Sequence, residues 1–251
     1  MTSLPDKNYI TDAYAASIKI GPDNFVFFGA DRFSNSGDSN VGFWFFQQEV
    51  APLDNGTFSG RHTIGDVLIV VNYENPLTFS SYEWTANGLT QKVANSYISQ
   101  CTASSTANYC SNTNNGPVTS PWSYTPKSGP SGTFPANSFM EGVFNSTVFL
   151  GPGENRHCFS TFLAVSRAST SDASVLKDFI FGAFQRCSLT AQVSCLGTGF
   201  NSDHTQVIYN IAVNVTNNGD SSLTGIQVLY DGANVATITS LAPGMLTTCV
   251  L

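Results

Sequence analysis

Short apolar runs broken by clusters of Gly, Asn, Ser and Pro recur along the whole 251-residue chain. Such a rhythm builds many strands joined by turns rather than helices. It predicts strands over Tyr14–Ile20, Asn24–Ala30, Val41–Gln47, Asp66–Tyr73, Thr78–Trp84, Leu89–Val93, Phe139–Asn145, Ser160–Arg167 and Asp178–Phe184. Two runs are apolar without alternation: Phe43-Trp44-Phe45-Phe46, and Val67 to Val71. Strict alternation leaves one face of a strand wet, so these runs predict central strands covered on both sides. Helix signals are sparse. Lys7–Ala16 reads as a short helix or as an edge strand, and Ala173–Asp178 as one helical turn before a strand. The chain carries 19 Phe, 9 Tyr and 3 Trp with only 11% charged residues, which supplies a large core and excludes a disordered chain. Burying those rings yields roughly 25 cal/mol per Å² of apolar surface.

Two stretches break the pattern. Thr102–Pro135 is rich in Ser, Asn, Thr, Gly and Pro, and reads as a long surface excursion. After Cys187 the period becomes a clean two: Val207, Tyr209, Ile211, Val213 and Val215 share one side, Asn210, Ala212 and Asn214 the other. Turn signals at Asn217-Asn218-Gly219 and Asp231-Gly232 separate further short runs. The expected architecture is all-β: a larger β-sandwich over 1–187 with a long loop at 102–135, then a small immunoglobulin-like module over 188–251. That module offers about five strands where about seven are usual. It is therefore expected to be cut short or completed by a strand from another chain.

The cysteines are Cys101, Cys110, Cys158, Cys187, Cys195 and Cys249. An even set without a C-x-x-C pair suits a disulfide framework in an oxidising compartment, not a zinc ribbon or a thioredoxin-like site. Pairing nearest neighbours within each domain gives Cys101–Cys110, Cys158–Cys187 and Cys195–Cys249. The expected location is secreted, extracellular or at the cell surface. No apolar run reaches membrane-spanning length, so no membrane insertion is expected. No signal-peptide pattern stands at the start, so any leader is expected to have been removed ahead of Met1. The formal net charge is −7 and the 10 Lys and Arg form no cluster, which argues against nucleic-acid partners.

Chemistry-bearing motifs are few. Asp31, Asn35 and Asp38 lie in one polar loop and are the best calcium candidates, since calcium takes hard oxygen ligands. The alternative is that they form turns, with an aspartate paired to Arg32. Trp122 and Tyr124, inside the polar excursion, fit a platform for a glycan, or anchors that pin the excursion to the body. Glu83 and Glu141 are the carboxylates a polysaccharide hydrolase would need to bring across one cleft. Arg32, Asp66, Glu83, Glu141, Arg167, Lys177 and Asp178 flank apolar strands and are expected to pair or join hydrogen-bonded networks. There is no G-x-S-x-G elbow, no H-E-x-x-H and no Gly-rich phosphate loop. No residue is assigned a catalytic role, and the chain is expected not to be an enzyme.

Several strings occur together: Pro5-Asp6-Lys7 with Ala13-Tyr14-Ala15-Ala16, Gly29-Ala30-Asp31-Arg32-Phe33, Gly42-Phe43-Trp44-Phe45, Phe58-Ser59-Gly60 with His62 and Gly65-Asp66, and Leu176-Lys177-Asp178-Phe179. The set, spread over residues 5–187, resembles the N-terminal module of large bacterial secreted or cell-surface proteins that carry immunoglobulin-like repeats, as in adhesin and pilin-like chains. The resemblance implies surface display and a lectin-like jelly-roll fold, and transfers no catalytic residue. The expected function is thus a structural or adhesive surface protein, assembling with copies of itself or with neighbouring surface-protein modules. A lectin-like glycan-binding module is the alternative, and a polysaccharide hydrolase a distant third.

Overall fold

The computed structural model describes residues 4–73, 78–97, 100–102, 108–151, 158–169, 171, 174–184, 189–217 and 222–250. The chain divides into two compact units, Met1–Phe184 and Gln185–Leu251. Both are built from antiparallel strands, so the chain is all-β. Among the described residues no helix is long and apolar enough to cross a membrane.

The first unit contains β1 (Ile10–Ile20), β2 (Asp23–Arg32), β3 (Asn40–Phe46), β4 (Val67–Asn72), β5 (Thr78–Thr85), β6 (Gly88–Tyr97), β7 (Tyr109–Thr113), β8 (Val118–Thr119), β9 (Thr133–Phe134), β10 (Phe139–Asn145), β11 (Thr161–Arg167) and β12 (Leu176–Ala183). A four-stranded sheet, ordered β1-β2-β10-β7, faces a six-stranded sheet, ordered β12-β11-β3-β4-β5-β6. Phenylalanines interlock between them: Phe28 of β2 meets Phe43 and Phe45 of β3, and Phe144 of β10 meets Phe45. Each such ring is fully buried and stabilises the fold by about 1.5–3 kcal/mol. Alternation along β2 and β3 sends Val26, Phe28, Phe43 and Phe45 inward to this core.

The non-alternating runs have the reason expected of them. All six residues of β4 are buried. Val67, Ile69 and Val71 join the inter-sheet core, while Leu68 and Val70 pack on the opposite face with Tyr82, Trp44 and Leu89. Phe46, Leu163 and Val165 form a further cluster on that outer face with Val50, supplied by the β3–β4 connection.

All nine predicted strands form, with ends shifted by a few residues. The open choice at Lys7–Ala16 resolves into a 3₁₀ turn at Asp6–Asn8 followed by the edge strand β1. The proposed turn over Ala173–Asp178 is corrected, because Leu176–Ala183 is the edge strand β12 and residues 172–173 lie outside the described set. The excursion at 102–135 is also corrected. Its polar residues Tyr109–Thr113 form β7, and β8 pairs with β9 in a two-stranded ladder. An edge strand pairs on one side only, so β7 needs little apolar content. The buried Ser111 hydroxyl donates to the Glu141 carbonyl at 2.7 Å and sews β7 to β10. One short helix, α1 (Ser146–Leu150), follows β10, capped by the Asn145 side chain accepting from the Val148 N–H.

The second unit contains β13 (Leu189–Phe200), β14 (Val207–Asn217), β15 (Leu223–Tyr230), β16 (Ala233–Leu241) and β17 (Leu246–Val250). They form a three-stranded sheet, ordered β13-β14-β17, and a two-stranded sheet of β15 and β16. The core between them is small: Val213, Val215, Ile238 and Leu241, with Ile211, Ile226, Val228 and Cys249 partly buried around it.

Candidate functional sites

Asp31 lies next to the last residue of β2 and is fully buried, where hydrogen-bond donors surround it. Its carboxylate accepts from the Thr11 hydroxyl, from the Asp12 N–H at 3.0 Å and from the Trp122 indole N–H at 3.0 Å. Asn35 turns away, donating its amide to the Ala136 carbonyl at 2.9 Å, and Asp38 is exposed. Among the described residues no group of three His, Cys, Asp or Glu converges as a metal site would require. The calcium expectation rested on Asp31, Asn35 and Asp38 turning to one point, and the Asp31 carboxylate and the Asn35 amide are instead engaged in the hydrogen bonds above. Asp31 serves as a structural acceptor, and burial pushes its carboxyl up to about 6 against the pull of its hydrogen bonds.

Arg32, next in sequence, is buried as well. Its guanidinium donates to the carbonyls of Asn137 at 2.9 Å and Gly37 at 3.0 Å and lies over the Tyr73 ring at 4.4 Å. Backbone carbonyls and an aromatic face thus take the place of the carboxylate partner expected for it.

The glycan platform at Trp122 and Tyr124 is corrected by the same cluster. Tyr124 is buried, and its hydroxyl donates to the Arg32 carbonyl at 2.8 Å. Trp122 is half-buried and wedged edge-on against Tyr14, Phe134 and Phe139. Both rings anchor the polar excursion to the body, Trp122 through Asp31 and Tyr124 through the Arg32 carbonyl. The two glutamates of the hydrolase reading sit on different sheets. Glu83 is buried on β5 and pairs with Lys92 at 2.7 Å, whereas Glu141 is exposed on β10 and accepts from the Tyr14 hydroxyl at 3.2 Å. Tyr14 lines a hollow of about 620 Å³ on the four-stranded sheet together with Phe25, Phe27 and Val143. Burial and the Glu141 charge push its phenol above the ordinary range.

A second pocket, of about 240 Å³, has a different make-up. It lies on the outer face of the six-stranded sheet, beneath the connection between β3 and β4. Trp44, Phe46 and Phe58 form its walls, and Ser59, Arg61 and His62 contribute its polar groups. The connection is long but tied down. Leu53 N–H donates to the Thr57 carbonyl, Ser59 N–H donates to the Ala51 carbonyl, and Pro52 bridges Phe58. The fully buried Asp66 accepts from the N–H groups of Gln47 and Thr63 at 3.0 and 2.9 Å and meets His62 Nδ1 at 3.1 Å. The imidazole stacks on Trp84 at 4.1 Å and tilts against Trp44 at 4.7 Å. In sequence Phe58, Ser59 and His62 stood out as one string of the family resemblance, Trp44 as part of an apolar run, and Asp66 as a charge expected to find a partner. The aromatic pair Trp44 and Trp84 and the His62–Asp66 contact come from different strands and a loop, which spacing alone does not join.

The second unit holds a third hollow, of about 480 Å³, between its two sheets. Leu189 and Val193 of β13, Ile211 of β14, and Ile226 and Val228 of β15 line it. Among the described residues β13 has one neighbour, β14, and β15 has one neighbour, β16, so each presents an edge with no described strand beside it.

The cysteine framework is part of this description. Cys101 and Cys110 form a disulfide with Cα atoms 5.0 Å apart. Cys158 is disulfide-bonded, and Cys187, its expected partner, lies outside the described residues. The pairing of Cys195 with Cys249 is corrected: both are free thiols, Cys195 exposed and Cys249 half-buried. The register explains it. Cys195 stands opposite Ile211 and Cys249 opposite Val213, on either side of β14. Two strand spacings of about 4.8 Å separate them, well beyond the roughly 7 Å that a disulfide spans between Cα atoms.

Comparison of the chain with protein-family models, with curated proteins and with solved structures finds no match.

Proposed function

We propose that the chain is an extracellular structural and adhesive module whose second unit takes up a β-strand from a neighbouring copy. One observation carries this reading: the apolar hollow between the open edges of β13 and β15. A free edge offers a row of N–H and C=O groups for main-chain pairing, and the adjacent hollow offers room for alternate apolar side chains. Val193 and Leu229 beside it are 70% and 58% exposed, a cost that an inserted strand would remove. The disulfide of Cys101 with Cys110 supports an oxidising location, and the resemblance of residues 5–187 to surface-protein modules points the same way.

Light scattering across a dilution series tests the reading. Wild-type protein is expected to grow in mass with concentration, and Val193→Lys to stay monomeric with an unchanged far-ultraviolet spectrum. A wild-type chain that remains a monomer throughout the series, or a Val193→Lys variant that assembles equally, would remove strand uptake from the account.

A further inference from the structure

We propose that the pocket beneath the β3–β4 connection binds a single acidic sugar residue, a uronic acid by chemical class. The inference stands apart from strand uptake, since every residue it uses belongs to the first unit. Its first ground is the wall chemistry. Trp44, Phe46 and Phe58 line the pocket, and Trp44 and Phe58 remain partly exposed. Aromatic faces accept the C–H faces of a sugar ring, while a small number of polar groups fix its orientation.

The second ground is the state of His62. Asp66 is already an acceptor for two backbone N–H groups, so His62 Nδ1 meets it as the donor. With Nδ1 turned to Asp66, Nε2 is the ring nitrogen left to meet a polar group of a ligand. The buried Asp66 and the stacked Trp84 hold the ring in that orientation before any ligand arrives, which lowers the entropic cost of binding.

The third ground is charge and size. Arg61 lines the pocket, and among the described residues no carboxylate does; Asp66 lies buried against His62. A guanidinium with its fork of donors selects a planar anion such as a carboxylate. At about 240 Å³ the pocket is smaller than the roughly 300–1,000 Å³ of drug-sized ligand sites, so it suits one ring. The β3–β4 connection is also of the length at which loops are commonly functional.

The test is a nuclear magnetic resonance titration of the full chain, read at the indole N–H signals of its three tryptophans. The probes are galacturonate, glucuronate, galactose and benzoate. Both uronates are expected to shift Trp44 and leave Trp122, held by Asp31, unmoved. Galactose should bind at least about fivefold more weakly, and Arg61→Gln should weaken uronate binding about tenfold. Arg61 is exposed, so that variant keeps the fold. Absence of any Trp44 shift, equal binding by Arg61→Gln, equal binding of galactose, or tighter binding of benzoate than of either uronate would each overturn the proposal.

Discussion

Asp31 shows how one buried carboxyl ties sequence-distant parts together. It takes the Trp122 indole from the polar excursion and Thr11 from β1, and it sits beside Arg32, which reaches the loop at Asn137. Burial raises its carboxyl to about 6, above the roughly 3.9 of an unfolded aspartate. The folded state therefore binds more protons than the unfolded state between those two values. Stability is expected to fall as pH rises from about 4 to about 6, by an amount on the order of 2–3 kcal/mol, and to level off above that window. Denaturant melts of the wild type and of Asp31→Asn across pH 4–7 check this. The variant keeps an acceptor for the Trp122 N–H and should lose that slope. A wild-type stability that climbs steadily through the window would contradict the assignment.

At the scale of elements, the sheets were legible because aromatic and β-branched runs leave so little choice. Phe43 to Phe46 and Val67 to Val71 announced central strands, and both are covered on two faces. What escaped was structure made from polar residues. β7 is Tyr-Cys-Ser-Asn-Thr, whose place on the sheet depends on tertiary bonds that no local pattern encodes. Asn114, just beyond it, is the clearest case. Its side-chain oxygen accepts from the N–H groups of Ser138 and Phe139 at 3.1 and 3.0 Å, and its amide donates to the Pro135 carbonyl at 2.7 Å. One asparagine thereby fixes the approach to β10. Asn114→Ala is expected to destabilise the first unit by about 1–3 kcal/mol, since it strands those backbone groups, and thermal melts will show the loss. The candidate pocket escaped for the same reason. His62 and Asp66 are neighbours in sequence, but their partners Trp44 and Trp84 arrive from β3 and β5. The platform at Trp122 failed because an indole in a polar stretch was equally suited to anchoring, and a buried acceptor at Asp31 decided the matter.

At the scale of the molecule, the two units differ in how much they bury. The first holds an extended phenylalanine core with strands covered on both faces, whereas eleven of the twelve residues of β13 in the second are exposed. Small cores leave little margin over conformational entropy. Hydrogen exchange on dilute protein is expected to be slowest in β4 and faster by orders of magnitude in β13 and β15, because local opening follows burial. Equal protection in both units would mean that the second is stabilised by something beyond its own core.

The free thiols on either side of β14 give redox conditions a say in this behaviour. Within one copy the intact sheet register holds Cys195 and Cys249 apart, so a disulfide formed between these two positions without unfolding must join separate molecules. A preparation that ages in air is then led toward covalent pairs that a reductant dissolves, even while the Cys101–Cys110 bridge stays where the fold put it.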